Sequence, residues 1–195
     1  MSKIRLGVLG GTFDPIHNGH LFAANEVAEL LNLDRIIFVP TAESWQKSEF
    51  SDSKLRLKMT ELAIRGNKKF KASAVDITRG GATYTVDTLS DLQAQNPGAE
   101  LVFIVGADAV AGMDSWKAVE KLGELAEFVA ISRPGYSFEQ PKSLKVPVLR
   151  LEISSLNISA SEIRERVKAN KPIEYLVPPA VAKFILKHRL YRGIK

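Results

Sequence analysis

The chain has 195 residues, 45% of them hydrophobic and 25% charged, and its 27 Lys and Arg against 22 Asp and Glu leave a formal net charge of +5. That length supports one substantial core, and no apolar run reaches the roughly 20 residues that a membrane-spanning helix needs. The absence of cysteine excludes disulfides, thiolate metal sites and a cysteine nucleophile together. The opening "MSKIRLGVLGG" lacks a secretory pattern, so a cytoplasmic protein is expected. The positive balance suits a polyanion, either a nucleic acid or a small nucleotide. The basic clusters Arg65 to Lys71 and Lys187 to Lys195 lack the aromatic interleaving of a single-strand platform. They read as solvated faces, so neither a nucleic acid nor a membrane is expected as partner. Homo-oligomerisation stays open.

In chain order, "IRLGVLG" (Ile4 to Gly10) reads as a buried strand bounded by glycine, and Leu21, Ala24, Val27, Ala28, Leu30 and Leu31 form a helical stripe after it. "RIIFVP" (Arg35 to Pro40) is a second strand stopped by proline. A capped helix follows over Ser51 to Gly66, with Leu55, Met59, Leu62 and Ala63 as its apolar positions. Phe70 to Ile77 is strand-like, Thr85 to Gly98 a helix, and Ala99 to Gly106 the most continuous apolar strand. Glu127 to Gly135 repeats the strand pattern. Tyr136 to Pro147 is a loop before the strand "VLRLEI", and helices over Ser159 to Asn170 and Pro178 to Tyr191 follow. Alternating strands and helices predict βαβ units: an α/β, doubly wound parallel sheet with helices on both faces, one domain over 1–195. Ligands of such sheets bind beyond the carboxyl ends of the strands, where the strand order reverses.

The polar segments there include "GGTFDPIHNGH", Gly10 to His20. It matches neither the dinucleotide fingerprint G-x-G-x-x-G nor the Walker A loop. Two glycines let backbone N–H groups approach an anion closely, and His17 and His20 lie one turn apart at a helix start, where phosphate binds readily. As metal ligands the histidines would need Asp14 or a remote group as third partner; as cap residues they would be purely structural. A second element, "NISASEIRER", carries the capping box Ser159 and Glu162, with Ser161 and Arg164 in the first turns. Two helix starts, two histidines and an arginine suit a polyphosphate.

These two elements resemble the nucleotidyltransferase superfamily marked by H-x-G-H and a late I-S-x-[ST]-x-[IL]-R motif. Within it the whole chain is similar to the nicotinate-nucleotide adenylyltransferases, narrowed by "GGATYTVDTL" (Gly80 to Leu89), "IVGADAV" (Ile104 to Val110), Ser115-Trp116 and "SRPG" (Ser132 to Gly135) in family order. Two positions depart from the common pattern: Ala160 stands in the late motif, and Gln46 replaces a histidine beside Lys47. The resemblance implies adenylyl transfer from ATP to nicotinic acid mononucleotide with Mg²⁺ as cofactor, in NAD biosynthesis. It implies that His20, supported by His17, acts at the α/β-phosphate bridge. Gly11, Thr12, Phe13, Lys47, Ser161 and Arg164 would hold phosphates, with C-terminal helices from about residue 159 completing that site. Gly106, Asp108 and Arg133 would contact adenosine, while Tyr84, Thr85 and Trp116 would hold the nicotinate nucleotide in its acid form. A sister enzyme for nicotinamide mononucleotide or phosphopantetheine, and a non-catalytic nucleotide-binding module, are the other readings.

Overall fold

A computed structural model describes residues 3–42, 50–133, 135 and 139–192. Six strands form one sheet: β1 (Arg5–Gly11), β2 (Arg35–Pro40), β3 (Phe70–Ala72), β4 (Glu100–Gly106), β5 (Glu127–Ser132) and β6 (Val148–Glu152). Their order is β3-β2-β1-β4-β5-β6, and every pair is parallel. The doubly wound α/β sheet expected from the sequence is therefore present. The chain steps outward from β1 to β3, returns to the centre, and steps the other way from β4 to β6. Strand order reverses between β1 and β4, which opens a crevice at their carboxyl ends.

The period-two pleat sends alternate residues of each strand into two separate cores. Leu9, Ile36, Phe38, Val102, Ile104 and Val129 face one of them. There they meet helices α1 (Asn18–Leu30), α2 (Ser53–Ala63), α7 (Ala160–Lys168) and α8 (Pro179–Lys187) through Val27, Met59, Ile163 and Ile185. Leu6, Val8, Ile37, Val39, Phe103, Val105 and Phe128 face the other, against Val86, Leu89 and Leu92 of α4 (Thr85–Gln95) and Leu122 of α6 (Val119–Leu125). Burial on both faces explains why the central strands read as unbroken apolar runs.

Local structure departs from the sequence pattern or adds to it at three places. The strand expected over Phe70 to Ile77 ends at Ala72, and Val75–Arg79 forms the short helix α3. Ser73 Oγ accepts from Val75 N–H at 3.3 Å and turns the chain. Asp76 then pairs with Arg79, one helical turn on, at 2.6 Å. Residues between β4 and β5 hold two further short pieces besides α6: α5 (Ala107–Val110) and a 3₁₀ turn (Met113–Ser115). In α2 the buried positions are Arg56, Met59 and Thr60, whereas Leu55 and Leu62 are only partly covered.

The burial of Arg56, 2% exposed, is resolved by backbone acceptors. Its guanidinium donates to Thr12 O (2.7 Å), Ser51 O (2.9 Å), Thr41 O (2.7 Å) and Ala42 O (2.9 Å). One side chain thus ties the turn after β1 to the turn after β2 and to the start of α2. Arg56→Met keeps the aliphatic stem but strands these carbonyls, and is expected to cost about 2–4 kcal/mol in urea unfolding. Arg56→Lys, which lacks the fork, should recover only part of that loss. A wild-type unfolding midpoint in Arg56→Met would remove this role.

Candidate active site

The turn after β1 is shaped by contacts that leave no room for side chains at two glycines. A Cβ at Gly11 would stand 2.9 Å from the Phe13 ring, and one at Gly19 would stand 3.0 Å from His17 Nδ1. Phe13 itself takes a left-handed conformation, φ 50°. The chain then enters α1 with His17 as N-cap. The His17 N–H donates to His20 Nδ1 at 3.3 Å, half of a capping-box arrangement in which imidazole replaces a carboxylate. That bond requires Nδ1 of His20 to be bare and puts the ring proton on Nε2. The two imidazoles stack with centroids 3.7 Å apart and planes 23° from parallel, and Phe13 meets His20 edge-on at 5.1 Å. Both rings therefore turn the same way, as their spacing predicts.

The second helix start arrives at the same place. Ser159 caps α7 by accepting from Glu162 N–H at 3.1 Å. Arg164 donates through Nη2 to Ser161 Oγ at 3.1 Å and through Nη1 to the Asp14 carbonyl at 2.7 Å. Ser161 is exposed and Arg164 half-buried, so their polar ends flank the β1 turn without being spent in the core. Asp14, considered above as a metal ligand, is 2% exposed and fully engaged: its carboxylate accepts from Ser51 N–H at 3.0 Å and Tyr191 OH at 2.5 Å. Among the described residues no group of three or more His, Cys, Asp or Glu has the arrangement of a metal site.

Across the crevice, α4 begins with Tyr84 as N-cap and Thr85 as its first residue. No side chain caps this helix, which leaves donors of its first turn to a ligand. Asp76, 1% exposed, accepts from Thr88 Oγ1 at 2.7 Å and Arg79 Nη2 at 2.6 Å, joining α3 to α4 and fixing the Gly80–Thr83 connection. Thr83 Oγ1 accepts from Ala42 N–H at 3.0 Å, so the approach to α4 is pinned to the segment that Arg56 also holds. Lys117 Nζ lies 4.6 Å above the Tyr84 ring and 2.9 Å from Asp87. Trp116 is half-buried, edge-on to Phe103 of β4 at 6.3 Å. Gly106 caps α5, and Asp108 folds back so closely that a Cβ at Gly106 would lie 2.6 Å from its Oδ1. Arg133 is exposed just beyond β5. Lys47 and Gln46 lie outside the described residues. Sequence reasoning missed Arg56 and Tyr191 altogether; a charged residue sharing a helix face with Met59 and Thr60 was the available signal for the first.

Burial pulls His17 from 6.5 down to about 4, and burial, then the charge of neighbouring His17, pulls His20 from 6.5 to about 3. Both rings are neutral at neutral pH. The unfolded chain takes up these protons near pH 6.5 while the folded one does not. Stability should therefore fall as pH drops from about 6.5 towards 4, with no contribution above that window. The His17→Asn, His20→Asn double variant should lose less on acidification across that range, read by urea unfolding at several pH values. An acid slope identical to wild type would mean that other groups take up those protons.

Residues 8–166 match the cytidylyltransferase-like family. A probable nicotinate-nucleotide adenylyltransferase of Leifsonia xyli is 49% identical over 193 residues, covering 99% of this chain and 96% of the relative. A protein of the same description from Corynebacterium kroppenstedtii is 51% identical over 191 residues, covering 96% and 90%. The fold superposes on a Plasmodium falciparum nicotinic acid mononucleotide adenylyltransferase complexed with NaAD at a TM-score of 0.79 and 23% identity, over 96% of this chain and 97% of that one. Motifs, sheet reversal and full-length identity lead to one assignment: the chain belongs to the cytidylyltransferase-like family and, within it, to the nicotinate-nucleotide adenylyltransferases.

Proposed function

We propose that this chain transfers the adenylyl group of ATP to nicotinic acid mononucleotide, forming nicotinic acid adenine dinucleotide and pyrophosphate in NAD biosynthesis. The observation that carries the reading is the neutral His17–His20 stack at the start of α1, beside Ser161 and Arg164 at the start of α7. An oxygen of the acceptor's phosphate attacks the α-phosphorus, and the bond from that phosphorus to the bridging oxygen of the β-phosphate breaks. The nucleophile is already ionised, so no general base is required. Catalysis rests on alignment and on donors placed where charge develops. His20, with its proton fixed on Nε2, donates towards the α/β bridge, and His17 holds the ring in place.

Gly11, Thr12 and Phe13 line the triphosphate through their backbone, and Ser161, Arg164 and Lys47 hold the leaving pyrophosphate. Gly106, Asp108 and Arg133 flank the adenosine. Mg²⁺, when bound with ATP, would offset the triphosphate charge; Ser161, Arg164 and Lys47 would supply donors to the phosphate oxygens, and no carboxylate cage for the metal occurs among the described residues. Residues 1–195 act as one unit in this reading, placed in the cytoplasm, with the helices from about residue 159 completing the phosphate site. No helix among the described residues is long and apolar enough to cross a membrane.

His20→Ala should lower kcat about 10²-fold with a smaller change in KM, as expected for loss of a donor that acts on developing charge. An unchanged kcat in the folded variant would take His20 out of the reaction.

The acceptor reading rests on α4. Its first turn has no side-chain cap and offers N–H donors and a partial positive charge, while Lys117 beside Tyr84 offsets the Asp87 carboxylate of that turn. A carboxylate satisfies such donors, whereas a carboxamide turns its NH₂ against one of them. That mismatch costs about 1–3 kcal/mol, and lost charge assistance adds to it. Discrimination of order 10² in kcat/KM is expected for the acid over the amide mononucleotide. Pyrophosphate release with ATP, Mg²⁺ and each acceptor in turn measures it. Equal values, or faster turnover of nicotinamide mononucleotide or phosphopantetheine, would move the chain to a sister activity.

A further inference from the structure

Tyr191 is 177 residues from Asp14 in sequence, yet its hydroxyl donates to Asp14 Oδ1 at 2.5 Å. It lies beyond the end of α8, where the Leu190 N–H returns to Ile185 O at 3.0 Å and folds the chain back onto the body. Its backbone is left-handed, φ 61°, a conformation that a side chain disfavours and that surrounding contacts must hold. A buried hydroxyl is costly unless it is bonded, and a phenylalanine would supply the same ring against α2. The hydroxyl therefore serves the carboxylate it meets. Burial, then the adjoining Asp14 charge, raises the phenol well above its usual range and keeps it a donor.

Asp14 also carries the group that matters for phosphate. Its other carboxylate oxygen accepts from Ser51 N–H at 3.0 Å, and its carbonyl seats Arg164 Nη1 at 2.7 Å. The remaining Arg164 contact, to Ser161 Oγ, stays within α7. The seat of Arg164 thus follows Asp14, and among the described residues Tyr191 OH and Ser51 N–H are the groups that hydrogen-bond the Asp14 side chain.

We propose that Tyr191 is a positioning residue of the phosphate site, its hydroxyl holding through Asp14 the carbonyl on which Arg164 is seated. It touches no substrate and acts through another residue. This rests on the reading that Arg164 holds the leaving pyrophosphate.

The test is a double-mutant cycle of Tyr191→Phe, Arg164→Ala and the pair, assayed well below each variant's Tm with ATP and nicotinic acid mononucleotide varied separately. Tyr191→Phe should lower kcat/KM for ATP about tenfold and leave KM for the acceptor unchanged. In the Arg164→Ala background the same change should cost less than about threefold, because the group it positions is gone. A purely structural hydroxyl would give a loss that multiplies in full, and that outcome, or an unaffected Tyr191→Phe, overturns the proposal. Arg164→Ala with wild-type kcat/KM for ATP would instead remove Arg164 from the phosphate site and this inference with it. If Tyr191→Phe does not fold, Asp14→Asn probes the same contact with the same expectations.

Discussion

A guanidinium whose hydrogen bonds, among the described residues, all go to backbone carbonyls organises this molecule. Arg56 is closed off from water and satisfied by carbonyls of Thr12, Thr41, Ala42 and Ser51. Parallel strands bring their carboxyl ends to one rim, but nothing in sheet geometry sets how the turns beyond that rim lie relative to one another. The planar fork of arginine does, because its donors point in fixed directions and three separate segments must meet them. Asp14 adds the complementary charge nearby and recruits the helix that ends the fold. The β1 turn, the Gly80–Thr83 connection and the α7 start are thereby tied to one another at the reversal point.

Within that frame the histidine pair, as the proposed anion site, would be prepared before its anion arrives. Protonated rings would attract phosphate more strongly, but two stacked cations 3.7 Å apart in a partly desolvated turn would repel each other. Keeping both neutral removes that repulsion and leaves attraction to an oriented N–H and to the amide ends of α1. The positive charge is delegated to Arg164, which sits half-exposed and can meet a polyanion without a burial penalty.

Much of this was legible in the sequence because local signals and tertiary demands agree. The central strands advertise burial on both faces, and Ser159 with Glu162 marks the start of α7 by chemistry that needs no partner elsewhere. Legibility fails where a residue's role is set by distant neighbours. Val75 and Ile77 look like strand residues, yet the sheet needs only three residues at its β3 edge and the pairing of buried Asp76 with exposed Arg79 favours a helical turn. Thr85 has cap chemistry, but the chain bends one residue earlier. Arg56 breaks the apolar stripe expected of α2, since nothing local reveals four carbonyls waiting around it. Tyr191 carries no motif at all, and its meaning appears only when Asp14 is beside it.

The separation of Asp14 from Tyr191 has a consequence for biogenesis. A polypeptide emerging from its N-terminus can pair β1 with β2 early, because those contacts are close in sequence, but pairs remote in sequence form only after long loops are closed. The β1 turn is therefore synthesised long before Tyr191, which meets it at Asp14. Until α7 and α8 dock, the β1 turn lacks both Arg164 and the Asp14–Tyr191 contact, and nascent or prematurely terminated chains hold an incomplete cradle. On the proposed function, a ligand held by both helix starts would bind only once α7 has docked, so its affinity would report contacts that close late because they are remote in sequence.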